Sequence, residues 1–316
     1  NHQALAGRLF REARILADLR HPAIVRYIDH GYLPEGGPYL AMEWLEGEDL
    51  AQRLRRKGVT ADEAVKLGIR LAEALAEAHA RGVVHRDLKP ANVFLPGGSL
   101  EEAKLLDFGI ARTGEIAATR LTVTGVLLGT PSYLSPEQVR GTDELDGRAD
   151  LFALGCLLHE CLTGRPAFVA ENLIGLLARI LFAAAPRIAR SRGDIPEALD
   201  ELVARLLAKE PEGRPREALD VAHELRALGP LTGASAPPTP IALSTSEQLV
   251  VTVVVVGQVG VGPEDRLRAS AIPSALTAAD IAPAPCSVRP AMIQTMSWAS
   301  AATMLPAAKS RRPMTM

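Results

Sequence analysis

Leu5, Leu9, Ile15, Leu16 and Leu19 recur at helical spacing among arginines, glutamates and an aspartate, and the run ends before His21-Pro22. That pattern predicts an amphipathic helix over residues 5–19. Two short apolar stretches follow, at 24–28 and 39–44, separated by Pro34-Glu35-Gly36-Gly37-Pro38. So many turn formers between two strand-length segments predict a hairpin. Thr60 and Glu63 have the spacing of a capping box. Val65, Ile69, Ala72, Ala76 and His79 then hold one face of a helix that stops at Gly82. From there to about residue 112 the pattern turns to short strands and loops. Apolar helices are predicted near 150–162, 170–182, 197–208 and 216–228.

Composition changes the picture after residue 228. The remaining segment holds 11 of the 23 prolines and five of the six methionines, with Trp298 as its one aromatic residue. Residues 229–316 therefore read as linker or disordered tail, unable to bury a core of their own. The β-branched run at 248–256 is the exception, with strand propensity high enough for 247–262 to begin a truncated second domain. The other reading of that run is a strand-prone segment with no native role. Gly257-Gln258-Val259-Gly260-Val261-Gly262 lacks both the spacing and the following Lys of a phosphate loop, so it reads as a flexible turn.

The 316 residues are 47% hydrophobic, enough for a large buried core. With 35 Lys and Arg against 37 Asp and Glu, the net charge of −2 shows no basic excess, which argues against nucleic acid as a partner. Three cysteines, Cys156, Cys161 and Cys286, form neither an even framework nor a CxxC pair, so a reducing, cytoplasmic compartment is expected. No apolar run is long enough for a membrane span, and no signal peptide is visible.

The chemistry lies between the helical segments. Residues 85–92 read His-Arg-Asp-Leu-Lys-Pro-Ala-Asn, and Asp107-Phe108-Gly109 begins fifteen residues after Asn92. Together these resemble the catalytic loop and metal-binding triplet of protein kinases. The resemblance continues through Gly129-Thr130-Pro131-Ser132-Tyr133-Leu134-Ser135-Pro136-Glu137, where Ser135 replaces the usual Ala, and through Lys209-Glu210-Pro211-Glu212-Gly213-Arg214. It is strongest to bacterial serine/threonine kinases of the eukaryotic-like, Hanks type, and covers roughly residues 3–228.

The resemblance implies an α+β, protein kinase-like fold, with an incomplete small lobe (helix plus β-hairpin) and a mostly helical large lobe. Asp87 would orient the acceptor hydroxyl and take its proton, and Lys89 would stabilise the transferring phosphoryl group. Asn92 and Asp107 would hold Mg²⁺, a hard ion that prefers oxygen ligands. Lys89-Pro90 is the form found in kinases acting on Ser and Thr. ATP would meet the hinge at Glu43 and Leu45, with Met42 as gatekeeper, Phe94 beneath the adenine and Glu12 as partner of an ATP-anchoring lysine. Glu137 would pair with Arg214, and Asp150 would hold the catalytic-loop backbone. Arg86 would receive a phosphate on Thr122 or Thr124, and Thr130 would favour short hydroxyl acceptors. The implied partners are protein substrates bearing Ser or Thr, including autophosphorylation in trans, and the alternative is a pseudokinase scaffold. No Gly-rich loop and no Val-Ala-Ile-Lys strand precede the first helix, so an N-terminally truncated fragment, inactive as given, is expected.

Overall fold

The computed structural model describes residues 19–32, 38–108, 131–142 and 145–231, with two further strands at 253–256 and 291–295. The hairpin is present as antiparallel β1 (Tyr27–Tyr32) and β2 (Pro38–Glu43), with Tyr27 opposite Met42 and an irregularity between Tyr27 and Asp29. Its first strand starts three residues later than the apolar run. Val25 N–H donates to Leu105 O at 3.0 Å and Leu105 N–H to Ala23 O at 2.8 Å, so the backbone of 23–25 is already committed elsewhere.

The free edge of β2 pairs with β7 (Ala291–Thr295), and β7 with β6 (Val253–Val256), giving the sheet order β1-β2-β7-β6. β6 lies inside the predicted 248–256 run. β7 falls in the segment read as linker, because Ala-Met-Ile-Gln-Thr carries too weak an alternation to mark a strand by itself.

A second, three-stranded sheet joins β3 (Gly47–Asp49), β4 (Val93–Pro96) and β5 (Lys104–Leu105). Asp49 caps α1 (Leu50–Arg56), its carboxylate accepting from Gln52 N–H at 2.7 Å. At seven residues, α1 is too short for its pattern to stand out in the sequence. The capping box opens α2 (Ala61–His79): Thr60 N–H donates to Glu63 Oε2 at 2.7 Å, and Glu63 N–H to Thr60 Oγ1 at 3.2 Å. α2 packs against α4 (Arg148–Thr163) and α7 (Ala218–Ala227). Gly68 permits this approach, since a Cβ there would lie 2.9 Å from Leu225 Cδ1 and 3.0 Å from Leu158 Cδ2.

α4 is the central element of the core, buried all round as a helix without a polar face must be. α6 (Glu197–Leu206) packs against it, and α3 (Pro136–Arg140) packs on α5 (Leu173–Phe182). Among the described residues no helix is long and apolar enough to cross a membrane.

Candidate active site

Residues 85–89 run as irregular backbone into a 3-10 turn at Pro90–Asn92, and part of their order comes from side chains on other elements. Asp150, fully buried on α4, accepts from His85 N–H at 2.7 Å through Oδ2 and from Arg86 N–H at 2.8 Å through Oδ1. His79, the last residue of α2, places Nε2 2.8 Å from the same Oδ2. Burial acts to raise the Asp150 carboxyl, yet the His79 bond, the nearby imidazole of His85 and its N–H leave it below the ordinary aspartate value. An ionised acceptor thus holds both N–H groups ahead of Asp87.

His85 is buried, and its ring lies 4.6 Å from that of Phe108. Nε2 donates to Leu106 O at 2.9 Å, which leaves Nδ1 to accept from Asp87 N–H at 3.3 Å and assigns the tautomer. On the other side of the loop, Asn92 Nδ2 donates to Asp87 O at 2.8 Å and Asp87 Oδ2 at 3.1 Å. Lys89 Nζ stands 3.3 Å from the same Oδ2. One carboxylate, one ammonium and one amide, all from eight residues of chain, therefore converge. Asn92 and Lys89 are buried at this point.

Asp107 is brought alongside by backbone pairing. Leu106 N–H donates to Asn92 O at 2.9 Å, and β5 pairs with β4 through Val93↔Leu105 and Phe94↔Lys104. Among the described residues, Arg86 (φ 62°) and Asp107 (φ 44°) are the two non-glycines with positive φ. Such backbone is unfavourable for a residue with a Cβ and concentrates at functional sites. Tyr27 is a residue that the sequence pattern marks only as strand. Its phenol is pushed well up, first by burial and then by the charge of Asp107.

Met42 is buried at the end of β2 and Leu45 packs against the core. Glu43 N–H donates to Arg26 O at 2.9 Å, and its carboxylate accepts from Arg26 N–H at 2.9 Å and from Lys104 Nζ. Phe94 is partly exposed on β4, opposite Lys104.

Farther from the loop, Arg214 forms a two-pronged pair with Glu137, Nη1 to Oε1 at 2.7 Å and Nη2 to Oε2 at 2.8 Å. The guanidinium also donates to Ala208 O, Arg148 O and Lys209 O, and stacks over Phe152 at 5.1 Å. Every polar edge of this buried pair is used, as burial of charge requires. Tyr133 donates its phenolic proton to Glu160 on α4, tying residues 131–133 to the core, and burial together with the Glu160 charge pushes its pKa well up. Glu12, Thr122, Thr124 and Thr130 lie outside the described residues.

A helical core with a borrowed-order loop, Asp107-Phe108 following a short strand and a buried Glu–Arg corner make a kinase-like domain. The protein kinase domain model matches residues 1–225, and the chain belongs to that family. It is 37% identical over 229 residues to the serine/threonine-protein kinase pkn3 of Myxococcus xanthus, covering 70% of this chain and 42% of that protein. It is 41% identical over 216 residues to PknH of Mycobacterium bovis, covering 68% of this chain and 35% of PknH. The chain thus spans less than half the length of these relatives. Its fold is similar to that of Rad53 1-466 in complex with AMP-PNP, with a TM-score of 0.58 at 26% identity, covering 69% of this chain and 54% of that one.

Proposed function

We propose that residues 1–228 form the catalytic domain of a serine/threonine protein kinase, which transfers the γ-phosphoryl group of ATP to a protein hydroxyl. The convergence of Asp87, Lys89 and Asn92 on a loop pinned by Asp150 carries this reading. The Asp87 carboxylate orients the acceptor hydroxyl and receives its proton as the oxygen bonds to the γ-phosphorus. The bond from that phosphorus to the β–γ bridging oxygen breaks, and ADP leaves. Lys89, beside Asp87, offsets the negative charge of the transferred group.

Asn92 and Asp107 fit a hard divalent ion. Because Nδ2 of Asn92 is spent on Asp87, its oxygen remains as the donor, and Asp107 supplies a carboxylate. These two residues would hold Mg²⁺, which would supply positive charge to offset that of the phosphates. The backbone at Glu43 and Leu45 takes the adenine edge, with Met42 behind it, Phe94 beneath it and Glu12 available to the ATP-anchoring lysine. A reducing, cytoplasmic setting, as the cysteine usage suggests, suits an ATP-dependent reaction.

Arg86 supports a regulatory reading. Its Nε is buried without a hydrogen-bond partner among the described residues. A phosphothreonine at 122 or 124 supplies the anion that such a donor lacks. Thr130 selects short aliphatic hydroxyl acceptors beside Asp87 and Lys89.

The test is the full-length gene product incubated with Mg·ATP, followed by mapping of phosphate. Label on Ser or Thr, including on an Asp87→Asn copy supplied as acceptor, supports the kinase reading and transfer in trans. Nucleotide binding without any transfer replaces it with the scaffold reading.

A further inference from the structure

The peptide unit joining Arg86 to Asp87 follows a left-handed residue and leads into the proposed proton acceptor. Three partners fix the backbone here. Arg86 N–H is held by Asp150 at 2.8 Å, and Asp87 N–H by His85 Nδ1 at 3.3 Å. The carbonyl of Arg86 accepts from Gln138 Nε2 at 2.8 Å, across 52 residues of chain.

Gln138 lies at the third position of α3, and its amide is used at both ends. Its Oε1 accepts from Ser135 N–H at 2.9 Å while its own N–H donates to Ser135 Oγ at 3.3 Å, completing a capping box. The oxygen therefore serves the helix and the nitrogen serves the loop. The adjacent Glu137 anchors the same helix to Arg214, so the arm that reaches Arg86 starts from a fixed base.

We propose that Gln138 is a positioning residue: its amide nitrogen locks the Arg86–Asp87 peptide plane and so sets the direction in which the Asp87 carboxylate projects. This rests on the reading of Asp87 given above. A capping box needs only an oxygen at this position and accepts Glu as readily as Gln. The bond to a carbonyl needs a donor, which Glu lacks when ionised. The amide is therefore explained by the loop and not by the helix. Positive φ at a residue with a Cβ persists only where neighbours over-determine it, and Gln138 is one of those neighbours.

Gln138→Glu in the full-length protein separates the two roles, because it keeps the cap and removes the donor. The thermal midpoint is expected to fall by no more than the loss of one hydrogen bond accounts for, because the cap is kept. Amide exchange at residues 86 and 87 is expected to accelerate, and kcat to fall by about tenfold or more with the KM for ATP unchanged, as for a misplaced reacting group. Ser135→Ala, which breaks the cap alone, is expected to lower the midpoint with a smaller effect on that exchange. Should Gln138→Glu fail to fold, Gln138→Met removes the donor together with the Oε1 half of the cap, and exchange at 86 and 87 faster than in Ser135→Ala then reports the donor, while equal exchange overturns the proposal.

Wild-type exchange at 86 and 87 in the donor-less variant overturns the proposal, whatever happens to turnover. Accelerated exchange in a protein whose wild type transfers no phosphate upholds the role of Gln138 in the loop and overturns the kinase reading instead.

Discussion

Helix α4 and the loop of residues 85–92 meet at a single carboxylate and hold their shapes by opposite means. Fourteen of the sixteen residues of α4 are buried, and its backbone bonds to itself, so it needs little from its surroundings beyond apolar contact. The loop has no such ladder. Its N–H groups at 85 and 86 go to Asp150, its carbonyl at 86 to Gln138 and its carbonyl at 87 to Asn92. Order generated by a backbone ladder commits the side chains of α4 to packing, whereas a loop pinned by side chains presents Asp87 and Lys89 together at the site. Substitutions in the two regions should accordingly separate into losses of stability and losses of turnover, with Asp150 belonging to both.

The largest effect is expected at the loop. Asp87→Asn should lower phosphotransfer by roughly 10²- to 10⁴-fold, with an unchanged thermal midpoint, as read by steady-state kinetics beside calorimetry. A large loss of stability would break the distinction drawn here. Next comes the buried corner, which belongs to the scaffold. Arg214→Ala leaves Glu137 buried and unpaired, at a cost of about 3–5 kcal/mol in denaturant unfolding. Replacing both by apolar residues, Glu137→Leu with Arg214→Met, should cost much less than the single change.

Asp150→Asn tests the shared residue. It keeps the shape but weakens charge-assisted bonds that are each worth about 1.5–3 kcal/mol, so stability and turnover should fall together. The smallest effect is on acid stability. Since the Asp150 carboxyl lies below its ordinary value when folded, its contribution is fully present above the unfolded value of about 4. It is lost as the pH falls through the lower, folded value. Below about pH 4 the urea midpoint should therefore drop more steeply in the wild type than in Asp150→Asn.

What the sequence made legible follows the same division. His85 to Asn92 and Asp107-Phe108 are local strings, readable because the chemistry needs those residues close together in the chain. The helix starts at Thr60 and the α4 run at 148–163 are also local, set by capping and by unbroken apolar character. Glu137 and Arg214 are 77 residues apart, so their pairing came only from family resemblance. Gln138 gave no signal, because its cap role accounts for it locally and its partner is a backbone atom. Tyr27 reads as any strand aromatic, because the Asp107 charge that acts on its phenol comes from far along the chain. β7 was illegible because its strand character depends on the edge of β2 that it meets.

The most direct test of the account is transfer from ATP labelled at the γ-phosphate, in the presence of Mg²⁺, by the full-length protein and by its Asp87→Asn variant at equal nucleotide occupancy. The account predicts label on Ser or Thr from the wild type and almost none from the variant. Equal labelling by both, or a wild type that binds Mg·ATP and transfers nothing, would contradict it.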